Sequence, residues 1–210
     1  MSPKLPSQEE ETKLWDIGRK AVAGVDEVGR GPIAGPVVAG AVILPELDLD
    51  QVENSHLVRD SKTLSEGQLA RADELVRALA RAVGIGRASS EEIDRIGIAA
   101  ATRLAMKRAL DALTIIPDHT LVDALNLEWR GVPCRSVVKG DARCTAIAAA
   151  SCVAKVFRDA EMRRLDLTYP GYGFGKHKGY GSKRHLDAIR ELGPTPVHRM
   201  SFSPLKPRLM

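Results

Sequence analysis

An apolar run that leads into two adjacent carboxylates limits most strongly which folds and sites this sequence can form. Residues 23–28 read Ala-Gly-Val-Asp-Glu-Val, and Gly29-Arg30-Gly31 follows directly. An ionised carboxylate at the end of a buried strand is unfavourable unless it is protonated, paired or bound to a metal. Glycine lets the backbone approach a ligand closely, and a guanidinium suits phosphate. Acids for a hard cation beside donors for an anion indicate metal-assisted phosphoryl chemistry.

The composition indicates a globular protein and argues against a membrane-spanning or secreted one. The 210 residues are 44% hydrophobic and 28% charged, which is typical of a globular domain. No apolar run reaches the roughly 18 residues of a transmembrane helix, and the polar N-terminus does not resemble a secretory signal. Cys134, Cys144 and Cys152 lack metal-ligand spacing and are expected to be reduced. We therefore expect a cytoplasmic monomer with no membrane partner.

The charge is distributed unevenly along the chain. Residues 1–129 carry 15 Lys and Arg against 21 Asp and Glu, whereas residues 130–210 carry 16 against 6. A basic segment favours a polyanion such as nucleic acid, although a solvated basic face without a partner would look the same. Aromatic rings among these cations favour nucleic acid further, because rings stack on sugars and bases. These rings are Tyr169, Tyr172, Phe174 and Tyr180.

The hydrophobic pattern predicts an α/β fold. β-Branched apolar runs predict strands at 21–28, 36–44, 83–88, 120–125 and 132–138. Capping boxes at Ser65 with Gln68 and at Ser89 with Glu92 predict the starts of two helices. The first is expected to end near residue 79 and the second, a long amphipathic helix, near residue 113. Further helices are predicted over 142–165 and 182–192, with a glycine-rich loop over 169–181.

Two adjacent N-terminal strands without a crossover helix favour a mixed sheet flanked by helices over a purely parallel sheet. The chain contains neither the P-loop nor the dinucleotide-binding glycine motif. We predict an N-terminal tail over 1–20, one catalytic domain with a C-terminal helical part over 21–198, and a second tail over 199–210.

Acids at the ends of predicted strands are the candidate metal ligands. Asp123 ends an apolar strand as Asp26 does, and Asp141 lies between a strand and an alanine-rich helix, where an N-cap is the alternative role. A regular strand points Asp26 and Glu27 to opposite faces. Either the strand ends or bulges here, or one of the two contributes differently, such as through a backbone carbonyl. Asp159 is expected to pair with a neighbouring arginine, Arg158 or Arg163, on the surface.

Other polar motifs are weaker signals. Lys62, in Asp60-Ser61-Lys62, is placed to hold a phosphate, although a surface turn explains it equally well. Glycines on both sides of Tyr180 expose its ring beside Lys178, which suits a groove better than a core. His56 and His198 have no spaced partner and are expected to be structural or exposed.

Five motifs, in order along the chain, together resemble bacterial type 2 ribonuclease H, the ribonuclease HII family. The resemblance spans about residues 21–198 and rests on residues 24–31 (GVDEVGRG), 60–62 (DSK), 139–141 (KGD), 148–159 (AAASCVAKVFRD) and 173–181 (GFGKHKGYG). It implies a ribonuclease H-like α/β fold with a C-terminal helical extension. One departure is that the Val-Asp-Gly usual around the third acid reads Val-Asp-Ala here.

The resemblance also implies an activity and residue roles. The expected reaction is metal-dependent cleavage of RNA in RNA–DNA hybrids and on the 5′ side of single ribonucleotides in duplex DNA, leaving 3′-hydroxyl and 5′-phosphate ends. The expected ligands of Mg²⁺ or Mn²⁺, which are also the catalytic residues, are Asp26, Glu27, Asp123 and Asp141. Gly29, Arg30 and Gly31 are expected to read the ribose 2′-hydroxyl and the adjacent phosphate, and Tyr180 to stack on the neighbouring deoxyribose. Lys62, Ser151 and Lys178 complete the expected substrate-binding residues.

Three other readings stay open at this point. Type 3 ribonucleases H share the acids but carry an extra N-terminal substrate-binding domain, for which the roughly 20 residues before the first strand leave no room. A non-catalytic hybrid-binding module would not need clustered carboxylates, which repel phosphate in the absence of a metal. A small-molecule phosphatase would have no use for the basic, tyrosine-bearing segment.

Overall fold

The computed structural model describes residues 5–47 and 49–206. Five strands form one mixed sheet in the order β3-β2-β1-β4-β5. Their bounds are β1 Val22–Val28, β2 Val37–Ile43, β3 Ala82–Ala88, β4 His119–Asp123 and β5 Cys134–Val137. Strand β2 pairs antiparallel with β1 and β3, whereas β4 pairs parallel with β1 and β5. This arrangement confirms the predicted mixed sheet.

Residues 5–47 and 49–206 contain seven α-helices. They are α1 Glu9–Asp16, α2 Glu66–Leu79, α3 Ser90–Ile96, α4 Ile98–Asp111, α5 Thr145–Thr168, α6 Phe174–His177 and α7 Lys183–Leu192. Short 3₁₀ turns lie at Leu49–Gln51, Ser55–Leu57, Ser61–Thr63 and Gly140–Ala142. Among the described residues, no helix is both long and apolar enough to cross a bilayer.

Helix α5 packs directly on the strands of the sheet because small residues line the contact. A β-carbon on Gly24 would lie only 2.1 Å from the backbone carbonyl carbon of Ala146, so only glycine permits this approach. Ala148, Ala149 and Ala150 continue the contact and are fully buried. Helix α4 covers the opposite face, where the core includes Met106 and Leu110. The predicted close packing of the alanine-rich helix on the sheet is therefore confirmed.

The predicted helix over 89–113 is divided into α3 and α4. Gly97 sits between them with φ +78°, a left-handed conformation that interrupts the helical hydrogen bonds. Both predicted capping boxes are present, at Ser65 and at Ser89. The predicted start of the long helix is therefore confirmed. The prediction that one helix runs without a break to about residue 113 was wrong.

Both predicted tails contain residues that belong to the packed structure. In the N-terminal segment, α1 buries Leu14 and Trp15, and Glu11 Oε1 accepts a 2.7 Å hydrogen bond from the Ala146 N–H at the start of α5. In the C-terminal segment, Arg199 is fully buried. Expecting simple tails there was wrong, because their packing partners lie far away in the sequence. Residues 1–4 and 207–210 lie outside the described residues.

Candidate active site

Asp26 and Asp123 lie where the parallel strands β1 and β4 stop pairing, two residues before the end of β1 and at the last residue of β4. The pairing of β1 with β4 ends at Val25 and Val122, so the next residue on each strand is one of these acids. Burial raises the pKa of Asp26 well above its usual value, and the charges of Glu27 and Asp123 raise it further. Two carboxylates from separate strands therefore lie close enough to influence each other's charge, at the point where β1 and β4 stop pairing.

Strand β1 does not bulge at the paired acids. Its pairing with β2 continues in register through Glu27 and Val28, whereas its pairing with β4 has already ended. The Glu27 side chain forms a 3.4 Å ion pair with Arg30, and burial raises the pKa of Glu27. Strand β1 therefore neither ends nor bulges at the two acids, which leaves the alternative in which one of them contributes differently, such as through a backbone carbonyl.

Asp141 lies in the 3₁₀ turn Gly140–Ala142 rather than at the N-cap of α5, which is Cys144. The Gly140 N–H of the same turn donates a 2.7 Å hydrogen bond to Asp123 Oδ1, which ties the turn to the end of β4. Burial raises the pKa of Asp123, and the negative charge of Asp141 contributes. Asp141 Oδ2 also lies 3.7 Å from Lys62 Nζ. The structure therefore brings the third and fourth predicted acids into the same neighbourhood.

The four acids provide oxygen donors of the kind that Mg²⁺ and Mn²⁺ prefer. Glu27 Oε2 is buried without a hydrogen-bond partner, and each of Asp26, Glu27 and Asp123 has its pKa raised by burial and by a neighbouring acid. A cation would relieve this repulsion. Within residues 5–47 and 49–206, no three such groups are gathered closely enough to hold an ion together. The donor chemistry fits a divalent cation, and binding requires these side chains to move closer.

A cavity of about 200 Å³ is lined by one of these acids, Glu27, and by most of the predicted substrate-binding residues. Its lining comprises Glu27, Val28, Gly29, Arg30, Gly31, Ser61, Lys62, Lys155, Arg158 and Tyr180. Gly29 has φ +87°, and a β-carbon there would lie 2.0 Å from Arg158 Nε. The Tyr180 ring faces Gly31 across the cavity and is 54% exposed. The sequence prediction of a bare peptide next to an exposed ring is therefore consistent with the structure.

Two predicted substrate-binding residues lie elsewhere. Ser151 is buried, with its Oγ 2.9 Å from Ser61 Oγ, and it hydrogen-bonds Asp26, so it orients that acid. Lys178 donates to the Gly175 carbonyl at 2.6 Å and does not line the cavity. Neither side chain lines the cavity, because Ser151 is bonded to Ser61 and Asp26 and Lys178 to the Gly175 carbonyl, and their direct contact with substrate stays a prediction.

Of the four aromatic rings that the sequence analysis singled out, Tyr180 alone is exposed. Tyr172 and Phe174 are buried and stacked on each other, with ring centroids 5.3 Å apart. Tyr169 is partly buried against the same cluster, whereas Tyr180 is exposed. All four rings lie among cations in the sequence, so this pattern could not show which rings are buried. The stacking of Tyr172 on Phe174 depends on tertiary packing.

Lys155 and Arg158 line the cavity, although the sequence analysis gave neither a role there. Their spacing carried a signal, since Ser151, Lys155 and Arg158 lie four and three residues apart and share one face of α5. Lys155 Nζ pairs with Asp159 at 2.7 Å. The expected pairing of Asp159 with an arginine was therefore wrong, because Arg158 points inward and donates to the Pro36 carbonyl at 3.0 Å.

Solved structures share this fold. The crystal structure of ribonuclease H2 from Pyrococcus horikoshii superposes with a TM-score of 0.73 at 25% identity, covering 88% of this chain and 95% of that one. A Bst-RNase HIII in complex with Mn²⁺ matches with a TM-score of 0.67 at 18% identity, covering 95% of this chain and 72% of that one. The expected ribonuclease H-like fold is thereby confirmed.

The sequence comparisons are more specific. The family model described as ribonuclease HII matches residues 23–204. The ribonuclease HII of Dehalococcoides mccartyi is 50% identical over 202 residues, which cover 96% of this chain and 94% of that protein. The chain therefore belongs to the ribonuclease HII family, metal-dependent nucleases of the ribonuclease H type that act on RNA–DNA hybrids.

Proposed function

We propose that this protein cuts the RNA strand of RNA–DNA hybrids and also cuts duplex DNA on the 5′ side of a single embedded ribonucleotide. The observation that carries the proposal is the cavity lined by Gly31 and Tyr180, which also contains Glu27 and Lys62, the ion-pair partner of Asp141. One 2′-hydroxyl is the group that distinguishes a ribonucleotide from its neighbours in such a duplex. The peptide at Gly29–Gly31 is the part of the cavity that can hydrogen-bond this hydroxyl without a side chain in between.

Tyr180 would contact the sugar that follows the ribonucleotide. Its exposed ring faces the glycine peptide, so a ribose held at Gly31 places the next sugar against the ring. A deoxyribose without a 2′-hydroxyl offers an apolar face for such a contact. This pairing of a hydrogen-bonding peptide and a ring supports recognition of an RNA-to-DNA junction.

The proposed hydrolysis depends on the four acids. Asp26, Glu27, Asp123 and Asp141 would hold Mg²⁺ or Mn²⁺, which would supply Lewis-acid activation of water and stabilise the leaving 3′-oxygen. Ser151 keeps Asp26 oriented through its hydroxyl. Lys62, 75% exposed at its side chain and near Asp141, is placed to bind the phosphate next to the scissile bond. Water attack with the 3′-oxygen leaving gives 3′-hydroxyl and 5′-phosphate ends.

The basic C-terminal third would bind the duplex on either side of the cut. Lys176, Lys183 and Arg184 are exposed around α6 and the start of α7. Such contacts to phosphates give affinity without sequence preference and weaken as salt increases. The unpaired cysteines are those of a protein in a reducing compartment, and we propose a cytoplasmic monomer.

The test compares wild type with Asp26→Asn on a DNA duplex that contains one ribonucleotide, with and without Mg²⁺. Asparagine keeps the acceptor that the Glu27 N–H and Ser151 use but removes the charge. Cleavage by wild type alone, only with metal, and only on the 5′ side of the ribonucleotide supports the proposal. Equal binding by both proteins without cleavage by either would instead indicate a non-catalytic hybrid-binding module.

A further inference from the structure

The segment Val197–Arg199 packs behind the loop that lines the cavity, although it lies far along the chain from that loop. It pairs antiparallel with the residues that follow the Gly-Arg-Gly loop, with Ala34 opposite His198. The Gly35 N–H donates to the Val197 carbonyl at 2.8 Å, and the Arg199 N–H donates to the Ile33 carbonyl at 2.8 Å. The position of the C-terminal segment is therefore coupled to that of the loop.

The Arg199 side chain binds the backbone of the Gly29-Arg30-Gly31 loop directly. Its guanidinium is fully buried and donates to the carbonyls of Gly29 at 2.6 Å and Arg30 at 2.9 Å, while its Nε donates to the Gly35 carbonyl at 2.9 Å. In a trans peptide the N–H points opposite to the carbonyl of the same plane. The N–H groups of Arg30 and Gly31 are thereby directed away from Arg199, and neither has a hydrogen-bond partner among the described residues.

His198 begins a hydrogen-bond chain that ends at Tyr180. The Thr195 N–H donates to His198 Nδ1 at 2.8 Å, the Nε2 atoms of His198 and His185 lie 3.1 Å apart, and His185 Nδ1 lies 2.9 Å from the Tyr180 carbonyl. An amide can only donate and a carbonyl can only accept. His198 is therefore protonated on Nε2 and His185 on Nδ1, which gives every bond in the chain a donor and an acceptor.

Two consecutive residues are thus hydrogen-bonded to opposite walls of the cavity: Arg199 directly to the glycine loop, and His198 to Tyr180 through His185. We propose that His198 and Arg199 are positioning residues that set the gap between the Gly31 peptide and the Tyr180 ring, and with it the discrimination of a single ribonucleotide. Side chains of consecutive residues in an extended segment point to opposite sides. Arg199 therefore reaches the peptide wall while His198 reaches the tyrosine wall. This inference rests on the proposed function and assigns a further role to residues outside the cavity.

DNA with a single ribonucleotide and a continuous RNA–DNA hybrid differ in how precisely they must be placed between the Gly31 peptide and the Tyr180 ring. A single ribonucleotide in DNA has one 2′-hydroxyl and one deoxyribose on its 3′ side, so it fits in one register only. A continuous RNA strand presents a hydroxyl at every position and can bind in several registers. Since a misplacement of about 1 Å can cost on the order of 100-fold in rate, loss of positioning should harm single-ribonucleotide cleavage more.

The experiment measures single-turnover cleavage of both substrates by wild type, His198→Gln, His198→Leu and Arg199→Lys. Glutamine can keep an N–H directed at His185, whereas leucine cannot. We expect His198→Leu to lower the ratio of the single-ribonucleotide rate to the hybrid rate about tenfold, and His198→Gln to restore most of it. Arg199→Lys should lower the ratio similarly, because one ammonium cannot reproduce the fork that binds both loop carbonyls. The exposed His56, outside this cavity, provides the control His56→Leu with an unchanged ratio.

Circular dichroism and melting temperatures establish that each variant is folded. Because Arg199 is buried, its lysine variant can lose the fold, and the two His198 variants then decide the matter. Equal losses on both substrates, or no recovery in His198→Gln, would overturn the positioning role while leaving the proposed function intact. Wild type that cleaves neither substrate would instead overturn the proposed function, and this inference with it.

Discussion

The ring of Tyr180 lies 3.5 Å from the position that a β-carbon on Gly31 would occupy. That distance is ordinary van der Waals contact, so residue 31 can accept a methyl group without displacing the ring. The same methyl group would stand in the gap where the peptide and the ring face one another. A methyl group at residue 31 is therefore compatible with the fold, but it would stand where we expect the substrate to bind.

Gly31→Ala should keep the fold and lose activity. The added methyl fits sterically but occupies the space that a ribose would take, so we expect single-ribonucleotide cleavage to fall at least tenfold with a melting temperature close to wild type. Gly29→Ala is the contrast. Its φ of +87° and a 2.0 Å approach to Arg158 Nε predict loss of stability as well. A Gly31→Ala protein with wild-type rates would show that the gap does not hold the sugar.

Tyr180→Ala should harm one substrate selectively. Removing the exposed ring removes the contact with the deoxyribose at the junction, so we expect cleavage at single ribonucleotides to fall roughly tenfold more than cleavage of a continuous hybrid. Single-turnover rates on both substrates measure this. Tyr172→Phe is a matched control for the loss of a tyrosine hydroxyl, since that residue lies in the core and donates to the Gly193 carbonyl. Equal losses by Tyr180→Ala on the two substrates would contradict junction sensing.

Asp26→Asn should stabilise the protein while abolishing cleavage. Burial and the nearby acids make the Asp26 charge unfavourable, and the neutral amide removes that cost, so we expect about 1 kcal/mol more free energy of unfolding. Added Mg²⁺ should raise the melting temperature of wild type, because a ligand that binds only the folded state stabilises it. The variant should respond less. An identical Mg²⁺ response in both proteins would show that Asp26 is not a ligand.

Ala124→Gly should stabilise the protein. Ala124 directly follows Asp123 and has φ +47°, a left-handed conformation that is strained for alanine. Glycine removes the strain but adds entropy to the unfolded chain, so we expect a net gain of about 1 kcal/mol by denaturant unfolding. Ala112→Gly is the matched control, because Ala112 has φ −83° and the change should destabilise there. A destabilised Ala124→Gly protein would contradict the strain.

The histidine chain predicts a loss of stability in mild acid. Burial lowers the pKa of His185 to about 4 and lowers that of His198 as well, and His177 stacks beside His185. The unfolded chain therefore takes up these protons at higher pH than the folded chain does. This stabilisation is complete above about pH 6.5 and is lost as the pH falls toward 4.

The measurement compares the melting temperature across pH 7.5 to 4.5 for wild type and His185→Asn. Asparagine can donate to the Tyr180 carbonyl but does not titrate, so the variant should lose less stability over this range. The buried acids act in the opposite direction, since their raised pKa values favour the folded state in acid, and they are the same in both proteins. Parallel curves for the two proteins would refute the histidine contribution.

Much of the fold followed from local patterns. The capping boxes at Ser65 and Ser89 were predictable because each depends on residues three positions apart. The break at Gly97 was less clear, since glycine inside a helical pattern is often tolerated. The acids Asp26 and Asp123 were recognisable because a carboxylate closing an apolar run is conspicuous in any sequence. Their meeting at one edge then followed from the parallel pairing of their strands.

The available chemistry could be recognised from the residues alone: acids at strand ends, a bare Gly-Arg-Gly peptide and a tyrosine between glycines. Which residues hold these groups in place depends on three-dimensional packing. Arg199 contacts Gly29 and Arg30 across about 170 positions of sequence, and no local pattern marks such a partner. A buried guanidinium is stable only where the fold brings enough carbonyls around it, so its role follows from packing and not from its neighbours along the chain.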